Sequence, residues 1–469
     1  MEQSYNLGVD NKHIHPGSFQ VNYLRLYPHN VEFMPPEDLE TEGQSSAGNS
    51  TNEEKNKFAN ILGAVKSFSI AEGIYQPTLF GELIIVDATN MIENYRIQGG
   101  EKVEISVQQT LKDKEKIIEA EFYISEIVGI QKVNIGGQTY KISLVTKEFF
   151  TNSLKKENSP FNAEPTELIK NIVKSHFDKD LTISGNGGSV VKGIYPKLRP
   201  FDAINFILRN SNDTQTPLFF YQGVKDGYHL KSYKSILDTM NEGDPEQEVF
   251  NPNAGVYSKY DNKPFGLPKT QEDETYYDSQ RTKIQRLVFP TYADKLNLAR
   301  KGAYRSKMEI VDLDNKQFKK TDFKYNDKQQ TLNKNLTISD VETSGLNKFN
   351  DDDYKNSRNF FIGLNDFSKH LPDNLLKTVS VFENLSDMKA ELAIFGDPDL
   401  VPSAIIELEL YKDQPEDSQT KDENPDNALL GGKYLVTGIT HSFSSGGYTM
   451  IVQLARDSSK IDFNEKVQL

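Results

Sequence analysis

The alternation of apolar and polar positions is strongest near the C-terminus, where Gly432 to Asp457 carries two β-prone runs around Ser444-Ser445-Gly446-Gly447. Glycine takes the positive φ angles of a tight turn without steric cost, so the stretch predicts a β-hairpin. In its first arm Leu435, Ile439 and Phe443 fall on one face with Thr437 and His441 between them; in the second, Tyr448, Met450, Val452 and Leu454 share a face. One side of this ribbon requires a core.

A hairpin of the same plan precedes it. With Phe122 set against Tyr434, the run Tyr123 to Ile127 falls against Leu435 to Ile439, and Gly136-Gly137 precedes Tyr140 as Gly446-Gly447 precedes Tyr448. The spacing is not strict, 13 residues from Ile127 to Tyr140 against 9 from Ile439 to Tyr448. A true internal repeat and a chance pairing of two amphipathic hairpins both stay open on this ground.

Further strands are legible from period-two patterning: Phe19 to Leu26, the apolar run Leu79 to Val86, and Val103, Ile105 and Val107 alternating with Lys102, Glu104 and Ser106 after a Gly99-Gly100 turn. With the hairpin of 122–145 they predict a small antiparallel barrel or sandwich. From Thr151 the period changes. Pro165 and Pro200 stand where first helical turns tolerate proline, and Leu168, Ile169, Ile172, Val173 and Phe177 make one apolar stripe. Leu218 to Tyr221 and Val224 to Leu230 follow, with Asp226-Gly227 predicting a two-residue turn. Tyr292 to Met308 reads as a polar helix weakened by Gly302. Asn384 to Lys389 reads as helical, ahead of strands Leu392 to Phe395 and Ile405 to Leu410.

The resulting division is an N-terminal arm and flexible loop over 1–57, a first β domain over 58–150, an α+β domain over 151–237, an extended excursion and helix over 238–310, a polar linking segment over 311–359, and a second β domain over 360–460. Composition fits several domains, since 469 residues exceed what one core serves. No apolar run nears the roughly 20 residues of a membrane span, and Met-Glu-Gln-Ser-Tyr does not open a signal peptide, so synthesis in the cytosol is expected. The absence of cysteine excludes disulfides, thiolate nucleophiles and thiolate metal sites. A net charge of -14 argues against an ordinary nucleic-acid binder, although it suits a conduit through which DNA slides without sticking.

Candidate chemistry is sparse. His13 and His15 are the closest histidine pair and could face one side of a strand, but beside Pro16 near a terminus they read as surface residues. His441 reads as a satisfied core histidine. Gly185-Asn186-Gly187-Gly188 lacks the Gly-Lys-Ser/Thr of a phosphate loop, and Ser445 lacks a nucleophile elbow. Glu407 and Glu409 share a strand face and could mimic a glycosidase pair, while Asp397-Pro398-Asp399 lacks the spaced ligands of a calcium loop and reads as a tight turn. No catalytic, metal-binding or cofactor-binding residue is expected.

The stretch Ile394-Phe395-Gly396-Asp397-Pro398-Asp399-Leu400, the strand Ile405 to Leu410, the run Gly432 to His441 and Gly447-Tyr448-Thr449 together resemble the C-terminal tube domain of baseplate hub proteins of contractile-tailed phages. That family includes late-control tail proteins and is related to the VgrG spikes of type VI secretion. Its pattern is a Gly-x-Pro-x-Leu turn, a hydrophobic strand, and a hairpin reading Gly-x-Tyr-x-Val-x-x-Ile/Val-x-His. Ile194 to Ile204 followed by Pro217 to Tyr221 is similar to the hub's inserted α+β domain. The resemblance spans most of 58–237 and 290–457. It departs at Pro402-Ser403-Ala404, where the family often has glycine.

The resemblance implies a mainly β fold with an α+β insertion: two similar antiparallel β-barrel tube domains, 58–150 and 360–460, in a homotrimer whose six barrels form a pseudo-sixfold ring. The implied role is a non-enzymatic symmetry adaptor in the virion tail baseplate. Its partners would be the tail tube, the central spike and other baseplate proteins, with genomic DNA passing through the lumen unbound. Two alternatives are a tail-borne cell-wall-degrading enzyme using an acidic pair, and an unrelated multidomain β-rich binding protein.

Overall fold

The computed structural model describes residues 17–29, 58–109, 116–134, 137–185, 188–210, 216–241, 284–292, 294–312, 315–324, 332, 359–364, 371–408, 410 and 429–458. His13 and His15, the loop of 35–57, Gly136, Asn186 and Gly187, the acidic triplet 351–353, Glu409 and the loop of 412–427 lie outside the described residues, as does most of 241–280.

In chain order the elements are β1 (Phe19–Tyr27), β2 (Ala59–Asn60), β3 (Val65–Gly73), β4 (Phe80–Asp87), α1 (Met91–Asn94), β5 (Lys102–Gln109), β6 (Lys116–Asn134), β7 (Gly137–Val145) and α2 (Lys147–Leu154). Then come β8 (Pro160–Ala163), α3 (Pro165–Phe177), β9 (Leu181–Ser184), β10 (Val191–Ile194), α4 (Pro200–Asn210), β11 (Leu218–Gly223), β12 (Gly227–Ser232) and α5 (Tyr233–Asn241). The rest are β13 (Arg286–Tyr292), α6 (Lys295–Lys301), β14 (Arg305–Asp312), β15 (Gln317–Lys324), β16 (Asn359–Leu364), α7 (Leu371–Asn384), β17 (Met388–Phe395), β18 (Ile405–Leu408), β19 (Gly432–Ser444) and β20 (Gly447–Arg456). The fold is mainly β with an α+β portion.

Contacts divide the chain into two compact units. The first takes the described residues within Met1–Ala71, Thr78–Phe150 and His441–Thr449; the second takes those within Glu72–Pro77, Thr151–Thr440 and Met450–Leu469. Strands β3, β19 and β20 thus contribute residues to both.

In the first unit the strands run β3-β4-β7-β6-β5-β1. Alternating apolar residues meet across it, as Phe68↔Leu83, Leu83↔Ile142, Val103↔Phe122 and Leu24↔Ile105, all fully or almost fully buried. Gly99 and Gly100, at φ 105° and 87°, make the turn before β5. The hairpin tip 441–449 fills the space between β3 and β1: Phe443 stacks on Phe68 at 4.6 Å, meets Phe19 edge-on at 5.3 Å, and the Tyr448 amide donates to the Gly17 carbonyl at 2.8 Å. The tip thereby joins β3, beside which β19 runs, to the residue leading into β1. Gly447 sits at φ 112°, and a Cβ there would stand 3.0 Å from the Gly17 carbonyl oxygen, so the approach depends on glycine.

The second unit contains the run β13-β17-β20-β19, with β18 also on β19. The Ile74 amide donates to the Thr437 carbonyl at 2.9 Å. Its α+β portion packs α3 and α4 around Phe161, Ile169, Val173, Phe201, Ile204 and Ile207, with the sheet β11-β12-β9 and the ribbon β10-β8. Pro165 is at the start of α3, as the sequence predicts. Gly223 pairs with Gly227, so the connection holds three residues, Val224, Lys225 and Asp226, and not two; Gly227 at φ 73° takes the left-handed place that follows such a loop.

Two predicted helices are corrected. The one over Tyr292 to Met308 is confined to α6: Asp294 caps it by accepting from the Asn297 amide at 3.3 Å, and Gly302 ends it at φ 83°. Buried Ser306, Met308 and Ile310 then alternate with half-buried neighbours along β14, which pairs with β15 and β16. The helix over Asn384 to Lys389 lies earlier, in α7, where Leu376, Ser380, Val381 and Asn384 recur at helical spacing and are buried. Met388, Ala390, Leu392 and Ile394 have period two and form β17.

Candidate functional site

The terminal hairpin is built differently along its length. From Tyr434 to Ile439 every residue of β19 is buried, whereas Thr440, Ser442 and Ser444 toward the tip are half-buried. Apolar residues on both faces demand covering on both faces, and the polar residues that remain inside need partners.

At the tip, the His441 Nδ1 lies 2.7 Å from the Tyr448 hydroxyl, and the rings of Phe443 and Tyr448 stack at 4.4 Å. His441 is a satisfied core histidine. Ser445 is exposed at the turn, without the strand-to-helix setting a nucleophile elbow needs.

Beside the hairpin base runs the turn Gly396 to Ala404. The Asp399 amide donates to the Asp397 carboxylate at 3.1 Å and the Leu400 amide to the Asp397 carbonyl at 3.2 Å, which is the tight turn expected of Asp-Pro-Asp. The Asp397 amide donates to the Met450 sulfur at 3.0 Å. Within Pro402-Ser403-Ala404, the stretch where the resembled family often has glycine, Ser403 is held at φ 73°, in the left-handed region. Its amide donates to the Val436 carbonyl at 2.9 Å, and the Val436 amide donates to the Ala404 carbonyl at 2.8 Å. The Ser403 hydroxyl lies 2.9 Å from the Tyr221 hydroxyl and accepts from the Lys231 ammonium at 3.1 Å. Burial pushes the Tyr221 phenol up to about 12 and lowers Lys231. His229, stacked on Tyr221 at 5.2 Å, is lowered by burial and then by Lys231. The Ser403 amide is spent on Val436, so this serine, lysine and tyrosine form an anchor between the turn and β11–β12.

At the other end of the hairpin, β20 closes with Arg456 and Asp457. The buried Arg456 guanidinium donates to the carbonyls of Leu429, Leu430 and Gly431 and lies 4.8 Å over the Tyr434 ring. It thereby fixes the segment leading into β19. The Asp457 carboxylate accepts from the Tyr233 hydroxyl at 2.7 Å, the Ser458 hydroxyl at 2.8 Å and the Leu332 amide at 3.1 Å. Its burial pushes it above the usual carboxylate range, against the pull of those three donors.

Glu407 is half-buried on β18, opposite Lys433 of β19. Its predicted companion Glu409 lies outside the described residues. Gly185, at φ 112°, belongs to a turn packed on Ser232: a Cβ there would come within 2.5 Å of the Ser232 hydroxyl oxygen. Among the described residues no group of three or more His, Asp or Glu side chains gathers as metal ligands would, and no helix is long and apolar enough to cross a membrane.

The sequence reading missed the anchoring roles of Arg456, Asp457 and Ser403. A charged pair directly after the apolar strand Met450 to Leu454 was the available signal.

No protein-family model and no curated protein matches the sequence. Among solved structures, the chain is similar over 86% of its length to the 43 kDa tail protein of prophage MuSo2 from Shewanella oneidensis, covering 96% of that chain at 10% identity and a TM-score of 0.45. It is likewise similar over 86% of its length to a tail protein from Neisseria meningitidis MC58, covering 94% of that chain at 11% identity and a TM-score of 0.45. The same share of the chain is similar to the E. coli c3393 protein, a component of the type VI secretion system, covering 76% of it at 9% identity and a TM-score of 0.39.

Proposed function

We propose that this chain is the structural hub of a phage tail baseplate. In this reading it is a homotrimeric adaptor that joins a sixfold tail tube to a threefold central spike and lines part of the DNA conduit, and its role is architectural. It resides in the virion tail.

The observation that carries the reading is the backbone through the resembled motif. The turn Gly396 to Leu400, the strand β18 and the hairpin β19–β20 follow in the family's order, and within Pro402-Ser403-Ala404, the stretch where the family often has glycine, Ser403 keeps a left-handed φ of 73°. A serine held there at a steric cost of about 1–2 kcal/mol implies that the turn's geometry matters more than the residue's own preference.

The two hairpins supply the symmetry argument. β6–β7 and β19–β20 share a plan in which Phe122 and Tyr434 are fully buried, and in which the first tyrosine of each second arm, Tyr140 or Tyr448, is buried with its hydroxyl bonded. β6 carries register shifts at 124/126, 128/131 and 132/134, each inserting one extra residue, and the two that fall between Ile127 and Tyr140 account for half of the longer spacing. Three chains with two such modules each present six similar modules, which would match a sixfold ring while the trimer axis suits a spike.

The test is localisation. Immunogold electron microscopy of assembled tails should place the chain where tube meets spike, and cross-linking of purified baseplates should stop at a trimer band. Label on fibres, sheath or capsid, or a chain missing from purified tails, would refute the hub.

A further inference from the structure

The second unit carries a cleft of 410 Å³ beside β17, β19 and β20 whose lining is divided by chemistry. Its rim is aromatic. Tyr75 is 50% exposed and Phe382 39% exposed, and their rings meet edge-on with centroids 5.8 Å apart. Buried Leu385, Ala390, Leu454 and Ala455 give the lining an apolar part, and exposed Lys389 and half-buried Glu391 from β17 with exposed Gln453 from β20 give it a polar one. Among the described residues these three side chains make no hydrogen bond or ion pair, so their donors and acceptors are unspent. Gly438 of β19 lies beneath the Gln453 side chain: a Cβ there would stand 3.0 Å from its amide oxygen and push that amide aside by a few tenths of an ångström.

One cation and one anion, Lys389 and Glu391, offset each other in the lining, which disfavours a phosphate or a polycation. A half-exposed aromatic rim offers a surface for C–H groups, and carboxylate, amide and ammonium side by side offer both donors and acceptors to hydroxyls. A cleft of this size with a few convergent polar groups is of the kind that holds small ligands. We propose that the cleft binds a neutral sugar residue of a glycan chain. The C–H face of the pyranose ring packs on Tyr75 and Phe382, and its hydroxyls bond to Gln453, Glu391 and Lys389. No bond is made or broken. The proposal is independent of the hub reading, because a binding protein of any other architecture could carry such a cleft.

The experiment titrates the full chain with cellotriose, maltotriose and chitotriose, followed by calorimetry and by ligand-observed NMR. At least one trisaccharide is expected to bind saturably at millimolar concentration or below. Gln453→Ala, at an exposed position, should weaken it about tenfold with the thermal unfolding midpoint unchanged. Gly438→Ala should weaken it through displacement of the amide, and Tyr75→Ala through loss of the rim. Failure of all three sugars to bind, affinity unchanged in Gln453→Ala, or a preference for inorganic phosphate would each overturn the proposal.

Discussion

Replacing Phe443 by alanine strikes the contact through which the hairpin tip completes the first unit. The ring is fully buried, stacked between Phe68 at 4.6 Å and Tyr448 at 4.4 Å, with Phe19 edge-on at 5.3 Å. Truncating a buried phenylalanine costs about 3–5 kcal/mol, and each lost aromatic pairing adds about 0.5–1.5 kcal/mol beyond burial. The expected loss therefore sits near the top of the truncation range, at about 4–5 kcal/mol. That is a large fraction of the roughly 5–15 kcal/mol available to a domain. Urea unfolding followed by circular dichroism measures the loss, and amide hydrogen exchange locates it. Protection should fall in β1 and β3 as well as at the tip, because the tip is the neighbour both strands share. Phe443→Leu keeps most of the volume and should cost roughly 1–2 kcal/mol. A loss below about 1 kcal/mol for Phe443→Ala, or β1 and β3 protection unchanged from wild type, would refute this joining role of the tip.

Substitutions at three further positions test the two anchors and the packing of the α+β portion. Asp457 has a folded-state pKa raised above the ordinary carboxylate value by burial, so its favourable contribution is full below that ordinary value and is lost as pH rises through the raised one; the stability of wild type relative to Asp457→Asn should decline from about pH 4 upward in urea titrations, and parallel curves would contradict it. Ser403→Gly and Ser403→Ala both remove the hydroxyl contacts to Tyr221 and Lys231, but only glycine relieves the φ of 73°, so the alanine variant should be less stable by about 1–2 kcal/mol, with equal midpoints counting against strain. Gly193→Ala puts a Cβ 2.8 Å from the Phe161 ring in the α+β portion and should cost about 1–3 kcal/mol, read as a lowered unfolding midpoint and checked by Gly193→Ala with Phe161→Leu, which should recover part of the loss.

Local patterning made much of this architecture readable in advance. Period-two runs such as Val103, Ile105 and Val107 and helix starts such as Pro165 depend on neighbours in sequence, and they stand where the patterning put them. β13 escaped notice because its residues are half-buried or exposed, which blurs the alternation, and β14 because its alternating inward positions, Ser306, Met308 and Ile310, begin with a polar residue just after a helical run. The allocation of the hairpin tip to the first unit was invisible for a different reason. Phe443 meets Phe68 and Phe19 across more than half the chain, and no spacing rule reports such a pairing. Asp457 was hidden in the same way, its donors coming from Tyr233 and Leu332. His441 is an intermediate case: its position on an apolar face announced a buried imidazole, and only coordinates could supply Tyr448 as its partner.

Because residues 441–449 complete a unit whose other strands lie before residue 150, the order of synthesis matters. A nascent chain leaves the ribosome with β1 and β3 unjoined, and at about 5–20 residues per second the missing piece arrives on the order of tens of seconds later. Prematurely terminated products lack the ring of Phe443 that packs on Phe19 and Phe68, leaving that apolar surface uncovered.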